Sequence, residues 1–211
     1  GWEDHKFGTS RMLIDKGVRV ESCNGPDHTI IEGDIGNEIR CVLINHTNAI
    51  LSGFTLVKGA PLLSRNHVPS GGGALVLNMD MMTNCIIVDC ESGYKGGGVA
   101  IVGYVPGHHL TGGLGKITSC SVMSNKATSV GAGVSIDYGQ TFSMENCVIR
   151  DNRLTGSTAS YGGGLSVDNC SDIYNCLIFG NSSSGYGGGV ALGNNSTIYN
   201  CTIENNAATN S

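Results

Sequence analysis

The chain is short of charge, of aromatics and of proline. Among its 211 residues, Asp, Glu, Lys and Arg make up 14% and Phe, Trp and Tyr 6%, with only 4 prolines and 1 tryptophan. The net charge is −5 and no Lys/Arg cluster is present, which argues against a nucleic-acid or anionic-membrane partner. No uncharged apolar run reaches the ~18–20 residues of a spanning helix, so no transmembrane segment is expected. No basic stretch precedes an apolar one at the start, which opens on Gly-Trp-Glu-Asp. The cysteines form no Cys-x-x-Cys pair, which speaks against a zinc ribbon or a thioredoxin-type site. A sustained 3.6-residue apolar period is also missing, leaving little room for helices.

Glycine and cysteine are what the chain has in quantity: 33 glycines and 9 cysteines, beside a hydrophobic fraction of 40%. The cysteine count is odd, so at least one thiol is unpaired within the chain. The glycines are not scattered. A triplet followed by alternating residues recurs at Gly71-Gly72-Gly73-Ala74-Leu75-Val76, Gly96-Gly97-Gly98-Val99-Ala100-Ile101, Gly131-Ala132-Gly133-Val134-Ser135-Ile136, Gly162-Gly163-Gly164-Leu165-Ser166-Val167 and Gly187-Gly188-Gly189-Val190-Ala191-Leu192.

Between triplets runs a second motif, Asn-Cys-x-Ile-x-x-Asn. It is cleanest around Cys147, Cys176 and Cys201 and looser around Cys85 and Cys120, with Phe54 in the cysteine slot of an earlier copy. The base period is about 25 residues, lengthened by insertions at Gly59 to Ser70 and Gly103 to Gly115. One such unit cannot bury its own apolar face, but stacked units bury a continuous column. Short period-2 segments bounded by Gly, Asn and Ser are strand-and-turn chemistry. The spacing therefore predicts an all-β fold, a parallel β-helix (a solenoid) with coils of about 25 residues, whose right hand is what the resemblance below implies. It is expected to form one domain over 1–211, with a lead-in at 1–17 and coils over 18–206, as a segment of a longer solenoid with an open, self-associating end.

The alternation also assigns faces. After each triplet, Ala74/Val76, Val99/Ile101, Val134/Ile136, Leu165/Val167 and Val190/Leu192 should face the lumen. Leu75, Ala100, Ser135, Ser166 and Ala191 should face out. Met82, Ile117, Met144, Ile173 and Ile198 should point in, as should Ile87, Val122, Ile149, Ile178 and Ile203. The chain must bend between these two inward sets, at Asn84, Ser119, Asn146, Asn175 and Asn200, where asparagine tolerates left-handed φ/ψ. Asparagine amides stacked there can hydrogen-bond from coil to coil, and a second ladder is expected at Asn125, Asn152, Asn181 and Asn206. The cysteine column (Cys85, Cys120, Cys147, Cys176, Cys201) is expected to hold free thiols acting as small buried hydrophobes. Stacked side chains point the same way, whereas a disulfide needs them to converge. Cys23, Cys41, Cys90 and Cys170 are left unassigned.

These motifs resemble the right-handed parallel β-helix of the pectate-lyase-like superfamily, and within it bacterial surface and secreted repeats of the polymorphic outer-membrane-protein type. The family's Gly-Gly-Ala-Ile becomes Gly-Gly-Gly-[Ala/Val/Leu] here, and its phenylalanine is replaced by Ile149, Ile178 or Ile203. The resemblance implies a secreted or cell-surface location, bacterial in kind, and an adhesin-like or scaffolding role, with a polysaccharide lyase or glycoside hydrolase as the enzymatic alternative.

Candidate sites follow from residues that should stack on the outside. Asp137 and Asp168 occupy equivalent positions of adjacent coils, where two carboxylates at strand spacing repel unless a cation such as Ca²⁺ bridges them or one takes up a proton. Turn capping by both aspartates is the plainer alternative. Tyr174 and Tyr199 should stack in consecutive coils, and Tyr94, Tyr161 and Tyr186 precede triplets. Such rows suit sugar rings, or serve as cross-strand pairs that stabilise the sheet. No cofactor is called for. Arg65, His67 or His109, in insertions that also carry His108, are candidate anion contacts or bases, and solvated loop residues otherwise. Gly115-Lys116 does not complete a phosphate loop, since Leu110 and Ile117 stand where glycine and Ser/Thr are needed. With no Arg or Lys expected in the outward row of Asp137 and Asp168, glycan contact or scaffolding is favoured over catalysis.

Overall fold

The computed structural model describes residues 2–4, 8–61, 70–102, 114–137, 141–156, 159–169 and 171–209. Among these there is no helix; every regular element is a short strand. The strands assemble into four sheets of eight, seven, seven and five strands, each joining successive coils. All inter-coil pairs are parallel. The result is a parallel β-solenoid of about six turns, averaging about 29 residues per turn, longer than the 25-residue base because of the insertions. Equivalent lumen residues Leu56, Ile87, Val122, Ile149, Ile178 and Ile203 pair in register at steps between 25 and 35 residues.

One coil shows how the sequence makes the path. Val134–Ile136 lies in the eight-stranded sheet, Thr141–Glu145 in one seven-stranded sheet, Val148–Arg150 in the other, and Arg153–Leu154 in the five-stranded sheet. The two changes of sheet on either side of Val148–Arg150 and its equivalents each use a residue in the left-handed region. At the first corner these are Asn84, Ser119, Asn146, Asn175 and Asn200, with φ between 50° and 55°. A second corner uses Asp89, Ser124, Asp151, Gly180 and Asn205 in the same way.

At both corners the next residue turns inward and holds the bend. After the first it is cysteine, whose Sγ lies 3.2–3.3 Å from the carbonyl oxygen two residues earlier, as Cys147 does to Glu145. After the second it is Cys90, then Asn125, Asn152, Asn181 and Asn206, joined by amide hydrogen bonds at 2.9–3.0 Å. Each of these asparagine Nδ2 groups also donates to a carbonyl of the previous coil, as Asn152 does to Val122. At the first corner, Asn175 Nδ2 donates to Asn146 Oδ1, and Asn200 Nδ2 to Asn175 Oδ1 at 3.3 Å.

The glycine triplet makes the third corner. Its first member has positive φ (Gly71, Gly96, Gly131, Gly162, Gly187). Its second lies so close to the next coil that a Cβ on Gly97 would sit 2.1 Å from the Lys126 carbonyl oxygen. Backbone contact of that kind cannot relax around a side chain, so the triplet is a packing requirement as much as a turn.

The lumen is a continuous apolar column containing all three expected inward sets, with Val190 and Ile198 partly buried and, in the last described coil, Leu192 and Ile203 43% and 47% exposed because no further coil covers them there. Leu75, Ala100, Ser135 and Ser166 do point away from the lumen, yet they are buried and not solvent-facing. Leu43, Leu75, Leu77, Ala100 and Val102 form a second apolar cluster on the outside of the eight-stranded sheet. Coil stacking also begins earlier than Val18. Gly8–Ile14 pairs parallel with Arg40–Asn45, and Trp2–Asp4 runs antiparallel along its edge. Arg40, fully buried, fastens that first strand: it donates to the carbonyls of Gly71 and Ser70 at 2.8 and 2.9 Å and reaches Ser10 Oγ.

All eight cysteines in the described residues are free thiols, and Cys85, Cys120, Cys147 and Cys176 are buried in the lumen. Burial and thiol–thiol hydrogen bonding push the Cys147 thiol up, the bond to Cys176 being the larger cause. Cys170 lies outside the described residues.

Candidate functional site

The most developed polar site lies on the outer face of the eight-stranded sheet, where its buried apolar row gives way to Ser135, Asp137, Ser166 and Asp168. In-register pairing of Val134–Ile136 with Leu165–Val167 brings Asp137 and Asp168 to equivalent positions of adjacent coils, as their spacing suggested. The sequence had left out the third member. Lys95 Nζ lies 2.7 Å from Asp137 Oδ1, with both side chains less than a fifth exposed. The expectation that no cation stands near this row is therefore corrected.

The electrostatics of the trio follow from partial burial. Desolvation pushes the Asp137 carboxyl above its ordinary value, and the Lys95 ammonium pulls the other way. For Lys95, burial lowers and the charge of Asp137 raises; the net direction is up, so the lysine is held as an ammonium. Its Nζ also lies 5.3 Å from the ring centroid of Tyr94. Asp168 remains exposed. A groove of about 270 Å³ opens beside it, lined by Val130, Tyr161, Ser166, Asp168, Ala191 and Gly193 among others.

Two tyrosine pairs form as expected but present themselves differently. Tyr174 and Tyr199 stack with ring centroids 5.2 Å apart and planes 9° apart; Tyr161 and Tyr186 stack at 5.6 Å and 17°. Parallel rings that close have their faces turned to each other, since rings lying flat side by side would need wider separation. Between partners, then, the surface offered to solvent is ring edge and hydroxyl rather than a flat platform. Tyr94 is out of register with Tyr161 and Tyr186. The residue that pairs into their row is Lys95, through Val130.

Arg65, His67, His108 and His109 lie outside the described residues. Lys58, at the edge of the first insertion, pairs with Glu32 at 2.9 Å. Among the described residues no group of three or more His, Cys, Asp or Glu converges as a metal site, so Asp137 and Asp168 would have to hold a Ca²⁺ ion with carbonyl and water oxygens beside Lys95. No helix of the described residues is long and apolar enough to cross a membrane.

Residues 108–210 match the family model of the right handed beta helix region. No curated protein and no solved structure matches the chain. The repeat, the stacked parallel sheets and the family match over the C-terminal half agree: the chain is a right-handed parallel β-helix repeat protein, of the general pectate-lyase-like architecture.

Proposed function

We propose that the chain is a non-catalytic segment of a secreted or cell-surface β-helix that contacts polysaccharide through the groove beside Asp168. One observation carries this reading: the exposed Asp168 carboxylate and the exposed Tyr161 stand beside a partly apolar lining of Val130 and Ala191, in a groove of about 270 Å³. A sugar ring offers matching chemistry, with apolar C–H faces and a rim of hydroxyl donors. Tyr161 and Tyr186 contribute hydroxyls and ring edges rather than stacking faces.

Catalysis by elimination is less well supported. A lyase needs a base with a lowered pKa beside the cation that neutralises its substrate. Lys95 is shifted the wrong way, held protonated by Asp137. A glycoside hydrolase is the second reading, favoured by the raised Asp137 carboxyl next to exposed Asp168 in the adjacent coil.

One experiment separates them. Soluble polysaccharides are incubated with the protein, following retention in affinity electrophoresis and, in parallel, reducing ends and unsaturated product. Retention without product, weakened by Tyr161→Ala, supports the contact reading. Product formation that disappears in Asp137→Asn replaces it with the hydrolase; no retention of any glycan ends it.

A further inference from the structure

The charges around the groove limit which glycan fits, an inference that rests on the glycan-contact reading above. Among the described residues, three charged groups meet at the outer face of the eight-stranded sheet here: Asp137 directly after one of its strands, Asp168 on the next, and Lys95 reaching Asp137 from the row before the glycine triplet. Lys95 is already engaged. Its ammonium contacts Asp137 Oδ1 at 2.7 Å, faces the Tyr94 ring, and is only 16% exposed. A ligand carboxylate approaching it would have to displace Asp137, which is itself 18% exposed. Asp168 is the reverse case, exposed and lining the groove. The remaining lining is uncharged, being Val130, Tyr161, Ser166, Ala191 and their neighbours.

From this we infer that the groove selects cationic, hexosamine-bearing glycans over uronic-acid polymers, with Asp168 as the specificity-determining residue. The lysine that would attract a polyuronate is cancelled from within the fold, while among the described residues the open charge lining the groove is negative. A protonated 2-amino group meets Asp168 directly, a neutral sugar meets it through hydroxyl donors, and a uronate meets like charge. The Tyr161 hydroxyl serves all three, so preference among them is set by the carboxylate.

The test uses the whole chain and three oligosaccharides of equal length: chitosan-type (cationic), cello-type (neutral) and galacturonate-type (anionic), titrated calorimetrically in mildly acidic buffer. The expected order of affinity is cationic, neutral, anionic. Asp168→Asn is on the surface and leaves the coil intact. It should weaken the cationic ligand about three- to fivefold at low salt and leave the neutral one within about twofold, as expected of one exposed charge pair. Added salt should shrink the cationic advantage in the unmodified protein and leave Asp168→Asn nearly unaffected. Binding in which galacturonate equals or exceeds chitosan, or a cationic preference that survives Asp168→Asn, overturns the inference and leaves glycan contact standing. Failure of all three ligands to bind overturns both.

Discussion

Asn152 Oδ1 accepts two hydrogen bonds from a single residue, the backbone N–H and the side-chain amide of Asn125, each at 3.0 Å. Asn181 stands in the same relation to Asn152, and Asn206 to Asn181. Each amide thereby closes one corner and anchors the next coil. Because Asn152 is fully buried, its removal strands two donors on Asn125 and the Val122 carbonyl without water to replace it.

Asn152→Ala should lower unfolding free energy by about 2–4 kcal/mol, the usual consequence of leaving buried polar groups unmade. Asn152→Cys should cost less, because Cys90 fills the equivalent position two column steps earlier and turns its Sγ to the Val88 carbonyl. Urea denaturation of the two variants decides it. Equal losses would mean that corner shape, not the amide, matters.

The first corner makes a separate demand. Asn175 has φ 54° on the surface of the bend. Asn175→Gly should be close to neutral, whereas Asn175→Val should cost about 1–2 kcal/mol for placing a β-branched residue in the left-handed region. Thermal melts that rank valine level with glycine would contradict the assignment.

Arg40 supports the N-terminal coil. Arg40→Lys keeps the charge but cannot reach the carbonyls of Ser70 and Gly71 with a rigid fork. A loss of about 2 kcal/mol is expected, seen first as faster hydrogen exchange in Gly8–Ile14. Unchanged exchange there would remove the anchoring role.

The Lys95–Asp137 pair gives a pH signature. The folded pKa of Lys95 lies above its unfolded value of 10.5, so its stabilisation is complete below that pH and is lost as pH rises through the folded value. Asp137 works oppositely to a usual salt-bridged acid: its raised pKa adds stability only in acid. Melting temperatures compared between pH 8 and 11.5 should show an extra alkaline decline in the unmodified protein that Lys95→Met lacks, worth on the order of 1 kcal/mol. Parallel curves would show the pair to be inert.

The thiols should sort by burial. Cys23 is exposed and Cys201 partly so, while Cys85, Cys120 and Cys147 lie within the lumen. Mass-mapped alkylation of the native protein should modify Cys23 first and Cys201 next, reaching the inner column only on unfolding. Modification of Cys120 at the rate of Cys23 would mean that the lumen opens.

How much of this was legible in the sequence depends on range. The corners were, since an asparagine at a parity break is a local signal, and Asn84, Asn146, Asn175 and Asn200 all have positive φ. The second corner was half visible: its asparagine column showed, but Asp89 and Asp151 gave no sign of left-handed backbone. Lys95 was missed because Asp137 is 42 residues away across a long insertion, and its row is found only by counting back from the triplet. That count also separates Tyr94 from Tyr161. The burial of Leu75 and Ala100 on the outer face was hidden because alternation tells in from out and not covered from open. The tyrosine pairs were predicted, but their ring orientation, which removes the flat platform, is a side-chain property no pattern records.

The most direct test of the account is hydrogen exchange with and without saturating oligosaccharide, because it locates the contact. Protection confined to Leu165–Asn169, Val190–Asn194 and the turn at Tyr161 is the predicted result. Protection instead across Val148–Arg150 and Leu177–Phe179, on the opposite side of the second corner, would contradict it.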